Sequence, residues 1–267
     1  RRQRQMCIRD SNDKIKLNYM VTEHSSRVNA DIVKTSVKRD LKSVYANSKL
    51  NIAVSVDFKE NLEKLYGEKF VYIPNVVDLD IMGKLNRISH DGYGFVSVGN
   101  LIANKGMDIT IKAFKRFHEF NPNSFLTVIG DGPERENLGK LVKSENLSDC
   151  VTFCGRLHRD EIKQVFDKSD CFVLASKSET FGVSYVEAMA TGIPVIATKC
   201  GGPESFVNSS NGILVEKNDV DGLAEAMRRI SSHSYDPDKL NRFCLENFAP
   251  EVIANKLTEL INGVIVN

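Results

Sequence analysis

From Gly94 onward, short apolar runs alternate with amphipathic stretches, and this alternation restricts the chain to few folds. The pattern predicts strands over 94–98, 125–129, 150–153, 170–175 and 193–198, with helices over 106–120, 133–145, 159–168 and 183–190 between them. A short element around 212–215 and helices over 219–231 and 249–263 complete the reading. Strands separated by helices form a parallel sheet with both faces covered. In an open sheet of that kind, ligands bind in the crevice at the carboxyl ends of the strands. Function is therefore sought in the loops that follow the strands.

The most informative of these loops follows the apolar run Cys171-Phe172-Val173-Leu174-Ala175 and leads from Glu179 through Phe181-Gly182 into a helix carrying Glu187. A helix N-terminus presents unpaired N–H groups and a partial positive charge, a natural seat for a phosphate. Glu179 stands on the loop before that seat, and Glu187 lies about one turn into the helix. A phosphate cradle with an acceptor on either side suits a nucleotide-sugar, although both carboxylates could simply be solvated. Beyond the helix, Gly192 suits a C-cap, Pro194 opens a strand, and Gly201-Gly202-Pro203-Glu204 forms the next loop. Glu204 is expected to touch the same cleft.

Together these residues resemble the E-x7-E signature of the retaining GT-B glycosyltransferases, in particular the large bacterial family 4 (group 1) that builds glycolipids, capsules and lipopolysaccharide. Three more blocks agree in order and spacing: Val96-Ser97-Val98-Gly99-Asn100-Leu101 with Lys105-Gly106, then Leu126 to Glu134 with its Gly130-Asp131-Gly132-Pro133 loop, then Val151-Thr152-Phe153-Cys154-Gly155-Arg156-Leu157. The resemblance covers residues 94 to about 230. It implies an α/β fold of GT-B type, with a Rossmann-like C-terminal domain built on a parallel sheet over 94–248. The second half of a Rossmann-like N-terminal domain over 12–78 precedes it, with a linker over 79–93. A last helix within 249–267 is expected to cross back to the first domain.

The resemblance also implies a reaction and assigns roles. A hexosyl unit passes from a nucleotide-diphosphate sugar to an acceptor hydroxyl with retention, without a metal ion or a cofactor beyond the co-substrate. Glu179, Lys105 and His24 are the expected catalytic residues, with Glu179 at the donor sugar and Lys105 at its diphosphate. His24, in Thr22-Glu23-His24-Ser25-Ser26, corresponds to a first-domain histidine near donor and acceptor. Gly99, Asn100, Gly130, Arg156, Leu157, Phe181, Gly182, Val183 and Glu187 are the expected donor-site residues, Glu187 accepting from the ribose hydroxyls. The family usually carries Arg where this chain has Asn100, so leaving-group stabilisation would rest more heavily on Lys105. Bland readings stand beside these: an exposed first-turn lysine, a surface Arg156, a structural His24. The partners implied are a nucleotide-sugar donor and a sugar or lipid-linked acceptor.

Other classes fit less well. Gly130-Asp131-Gly132 lacks the third glycine of a dinucleotide fingerprint and follows an interior strand, which argues against NAD or FAD. A sugar-nucleotide epimerase of the same fold remains an alternative, as does a nucleotide-binding fragment without turnover. Asp78-Leu79-Asp80 lies in the linker rather than on a loop where a metal is wanted. Residues 1–11 fit no element and read as translated adaptor or vector sequence, and the chain reads as starting part-way through its first domain.

Residues 1–50 carry 12 Lys and Arg against 5 Asp and Glu, although the whole chain has a net charge of +1. Lys34, Lys38 and Lys42 recur on one helical face, which suits an anionic membrane surface or a solvated helix. Aromatic interleaving is absent, so nucleic acid is not expected. No apolar run approaches the roughly 20 residues that span a bilayer. The six cysteines include no C-x-x-C pair and read as reduced thiols of a cytoplasmic protein, peripheral at the membrane at most. Between the termini, a strand is expected over 15–21, a helix over 30–46, a strand over 50–55 and a helix capped by Ser55 or Asp57 and reaching Tyr66.

Overall fold

The computed structural model describes residues 18–29 and 33–265. Two parallel sheets organise the chain. The smaller holds β1 (Met20–Glu23), β2 (Leu50–Ala53) and β3 (Val71–Tyr72), paired in that order. The short α1 (Ser26–Asn29), then α2 (Thr35–Ala46) and α3 (Val56–Tyr66), connect them. Ser55 caps α3, its Oγ accepting from the Phe58 N–H at 3.3 Å, and Gly67 ends it with a φ of 74°.

The larger sheet has six strands: β4 (Tyr93–Val98), β5 (Ser124–Ile129), β6 (Val151–Gly155), β7 (Cys171–Leu174), β8 (Val195–Thr198) and β9 (Gly212–Val215). Between them run α4 (Met107–Phe120), α5 (Arg135–Ser144), α6 (Arg159–Asp167) and α7 (Val183–Ala190), and α8 (Val220–Ser231) follows β9. All pairings are parallel, in the order β6-β5-β4-β7-β8-β9. The chain walks outward from β4 to β6, then returns to lay β7 against the other side of β4. That reversal makes the gap between the carboxyl ends of β4 and β7 the topological switch point.

The core follows from the apolar runs. Phe95, Val96, Phe172, Val173 and Leu174 are buried within the strands, and the Ile111, Phe114 and Phe117 stripe of α4 is buried against them. Two further helices close the structure, α9 (Pro237–Phe248) and α10 (Pro250–Ile265). Asn241 on α9 donates to the carbonyls of Gly83 and Ala190 at 2.7 and 2.6 Å, holding the connector to the end of α7. Ile253 on α10 packs with Leu50, Ile52 and Ile73, so the last helix covers the small sheet.

Several boundaries differ from expectation. The first strand runs Met20–Glu23 rather than 15–21, because its register with β2 pairs Glu23 with Ala53. Glu23 is buried there, accepting from Tyr45 Oη at 2.8 Å and from the Ser25 and His24 N–H groups, so a residue expected in a loop ends the strand. The helix expected over 30–46 begins at Thr35. Helix α9 was not foreseen: its buried residues Leu240, Cys244 and Phe248 form a stripe too narrow to stand out. Asp236 at its N-cap followed by Pro237 was the available signal. The segment 1–11 and the first residues of the strand expected over 15–21 lie outside the described residues.

Candidate functional site

A cleft of about 590 Å³ opens at the switch point, within the range usual for small-molecule sites. Gly99, Asn100 and Lys105 from the loop after β4 line it, with Gly130 after β5 and Arg156 and Leu157 after β6. Glu179, Phe181, Gly182, Val183 and Glu187 complete it from the loop after β7 and from α7. The structure thus brings together every residue expected at the donor site, although they span nearly ninety positions. Arg156 lines the cleft yet remains exposed.

The loops hold these groups by backbone geometry. After β4 the chain makes a 3-10 turn over Ala103–Lys105, and Gly106 follows with a φ of 59°. A Cβ on Gly106 would come 2.0 Å from the Ala175 carbonyl oxygen, so only glycine lets the two loops approach this closely. Asn104 bridges them, its Nδ2 donating to the Ser178 carbonyl at 2.9 Å and its carbonyl accepting from the Lys177 N–H at 2.8 Å. Gly182 caps α7 in a left-handed conformation, and the first-turn N–H groups of Val183 and Ser184 have no intrahelical acceptor.

Lys105 does not stand alone in the cleft. Its Nζ lies 2.6 Å from Glu179 Oε1, and the same oxygen accepts from Ser176 Oγ at 2.7 Å. The two groups expected to act on diphosphate and sugar are therefore ion-paired with each other. Glu187 sits one turn into α7, with Arg159 Nη2 3.2 Å from its Oε1. Burial pushes the Glu187 carboxyl upward, and the Arg159 guanidinium opposes that shift.

His24 lies apart from the lining. It is exposed, and its carbonyl accepts from Thr180 Oγ1 at 3.4 Å. That contact nevertheless sets the end of β1 over the loop after β7. Ser55 Oγ donates to the Gly201 carbonyl at 2.9 Å, and the Val56 N–H donates to Ser205 Oγ at 2.9 Å. The carboxyl ends of the two sheets thus face each other across the cleft. Glu204 was expected in the cleft, but both its oxygens accept from the Gly201 N–H and hold that loop. The reason is local: the Pro203–Ser205 turn folds the side chain back onto the loop's own backbone.

The model of the glycosyl transferases group 1 family matches residues 84–247, which contain all of this cleft except Asn75. The chain belongs to that family. An uncharacterized glycosyltransferase of Methanocaldococcus jannaschii is 34% identical over 217 residues, covering 80% of this chain and 58% of the relative. The alpha-monoglucosyldiacylglycerol synthase of Acholeplasma laidlawii is 32% identical over 133 residues, 49% of this chain and 33% of that enzyme. The chain therefore spans little more than half the length of the first relative and a third of the second. Among solved structures, the sucrose-phosphate synthase of Thermosynechococcus elongatus superposes with a TM-score of 0.83 at 22% identity, covering 98% of this chain and 71% of the other. The HepE protein of Anabaena in complex with UDP and glucose gives 0.81 at 18% identity, covering 98% and 76%. The fold of this family member is accordingly α/β with parallel sheets, of GT-B type.

Other features of the cleft lie outside what the sequence motifs mark. Asn75, Thr180 and Ser184 line the cleft, Ser176 supports Glu179, and Arg159 reaches Glu187. Arg159 was legible only as a helix-start residue. Among the described residues no three His, Cys, Asp or Glu side chains gather as a metal site, and no helix is long and apolar enough to cross a membrane. Cys150, Cys154, Cys171, Cys200 and Cys244 are all unpaired thiols.

Proposed function

We propose that the cleft binds a nucleotide-diphosphate sugar and that the glycosyltransferase moves its hexosyl unit to an acceptor hydroxyl with retention. The observation that carries this reading is the convergence of Lys105, Glu179, the α7 N-terminus and Glu187 on one cleft at the switch point. The cation and the helix N-terminus suit a diphosphate. Glu187 lies about one turn further on, where a ribose would follow. The anomeric carbon–phosphate oxygen bond breaks, a bond to the acceptor oxygen forms on the same face, and the acceptor proton passes to the departing phosphate. Lys105 stabilises the charge that develops on the leaving group, in the manner of preorganised electrostatic catalysis. His24, on the opposite sheet, serves the acceptor side. No metal ion is required in this scheme.

The acceptor is proposed to be a sugar or glycolipid of the cell surface, a class favoured by the relative that is a diacylglycerol glycolipid synthase. A uridine nucleotide is the first donor to test, because structural neighbours hold UDP. Calorimetry with UDP, GDP and ADP on the folded chain tests donor binding. The absence of both heat and a thermal shift with all three would exclude the reading. Where transfer is obtained, the anomeric configuration of the product by NMR decides retention, and turnover unchanged by a chelator decides metal independence.

A further inference from the structure

Arg159 is the first residue of α6, and it joins two carboxylates from distant parts of the chain. Its Nη1 lies 2.6 Å from Asp78 Oδ2, its Nη2 donates to the Asp78 carbonyl, and the same Nη2 is 3.2 Å from Glu187 Oε1. Asp78 belongs to the connector between the two sheets, in which no helix or strand lies between Tyr72 and Tyr93. Glu187 belongs to the cleft. Both donor contacts to Asp78 come from one planar fork, so the guanidinium plane is set by the connector. Glu187 Oε1 is thereby anchored, and no donor to Oε2 is recorded among the described residues.

Folding alone gives little reason for an arginine here. Arg159 Nε is buried and has no hydrogen-bond partner among the described residues, a cost that an apolar side chain would avoid. We infer that Arg159 is a positioning residue: it fixes the Glu187 carboxylate so that Oε2 is left to accept from the ribose hydroxyls of a nucleoside diphosphate. Through Asp78 it also ties that carboxylate to the connector. A lysine would supply the charge but not the fork that orients both partners.

The inference rests on the reading of Glu187 as the ribose acceptor, and one experiment separates the two. Dissociation constants are measured for whichever of UDP, GDP and ADP binds tightest and for its 2′,3′-dideoxy analogue, with the unaltered chain and with Arg159→Gln. The unaltered chain is expected to prefer the ribose form by about ten-fold or more, the scale of a hydrogen bond to a charged group. Arg159→Gln is expected to cut that preference to about three-fold or less while leaving the dideoxy analogue within about two-fold of its original affinity. A purely structural role would weaken both ligands together and keep their ratio, which would overturn the inference while leaving the ribose reading intact. No preference in the unaltered chain would overturn both. Should Arg159→Gln fail to fold, Asp78→Ala at its exposed position is expected to reduce the ratio by about two- to five-fold, and an unchanged ratio would again overturn the role.

Discussion

Replacing Glu179 by Gln should strengthen binding of a nucleoside diphosphate, even though Glu179 lies in the binding cleft. Glu179 Oε1 holds Lys105 Nζ at 2.6 Å, so a diphosphate must compete with a carboxylate for the same cation. The two side chains are 22% and 12% exposed, which places the pair between a solvent-screened and a buried one. Exposed pairs contribute about 0–1 kcal/mol and breaking buried ones costs about 3–5 kcal/mol, so the net hold on Lys105 is about 1 kcal/mol. The amide removes that hold and a negative charge beside the diphosphate, and it retains the Ser176 hydrogen-bonding position. UDP affinity should therefore rise by roughly two- to ten-fold at low salt and less at high salt, where screening already weakens the pair. Lys105→Met should act oppositely, weakening UDP by about 1.5–3 kcal/mol, the range for hydrogen bonds to charged groups. Calorimetry at two ionic strengths measures both. Weaker binding by Glu179→Gln would mean that the carboxylate holds Lys105 ready for the ligand rather than competing with it, and the reasoning would be wrong.

Three further outcomes follow from the geometry. Burial raises the Glu187 carboxyl against the opposing Arg159, with Asp78 adding to the rise. Its charge is therefore lost above the pH at which an ordinary glutamate is neutralised. The UDP to dideoxy-UDP affinity ratio, in which phosphate titration cancels, should fall as pH drops through that raised value. A ratio independent of pH down to about 4 would contradict this. Gly106→Ala forces a Cβ to within 2.0 Å of the Ala175 oxygen at a φ of 59°, so it should destabilise the fold by about 2 kcal/mol or more, read as a lower urea midpoint. Ile253→Ala opens the small cluster beneath α10 and should lower stability by about 2–4 kcal/mol; a loss under about 1 kcal/mol would mean that α10 contributes little to holding the small sheet.

What was legible in the chain follows the range of the forces involved. Helix α7 over Val183–Ala190 and strand β9 over Gly212–Val215 lie where periodicity and glycine punctuation put them, because local pattern and tertiary burial agree there. Where they disagree, the reading slipped. Glu23 ends a strand because Tyr45, a residue of the next long helix, satisfies its buried carboxylate. Helix α9 presents only a three-residue stripe because its role is to cover α7 and the connector rather than to fill the sheet's core. The lining of the cleft was readable because glycines and strand ends mark loops, and a parallel sheet gathers its loops at one end. His24 was placed near that cleft by resemblance, and the structure holds its backbone beside the loop after β7 through Thr180.

The pairing of Lys105 with Glu179 could not be read the same way, and the reason is topological. The two residues are 74 positions apart, and nothing local to either specifies the other. They meet because β7 pairs with β4, Phe95 beside Cys171 and Val96 beside Phe172, which sets the loops after those strands side by side. Were β7 joined instead to the outer edge at β6, three strand spacings of about 4.8 Å each would separate the loops, and a lysine could not reach the carboxylate. Gly106 then closes the remaining gap by admitting the Ala175 carbonyl where any other side chain would stand. The charge balance of the cleft is thus a consequence of strand order, and Arg159 repeats the pattern at Glu187, through the connector that joins the two sheets.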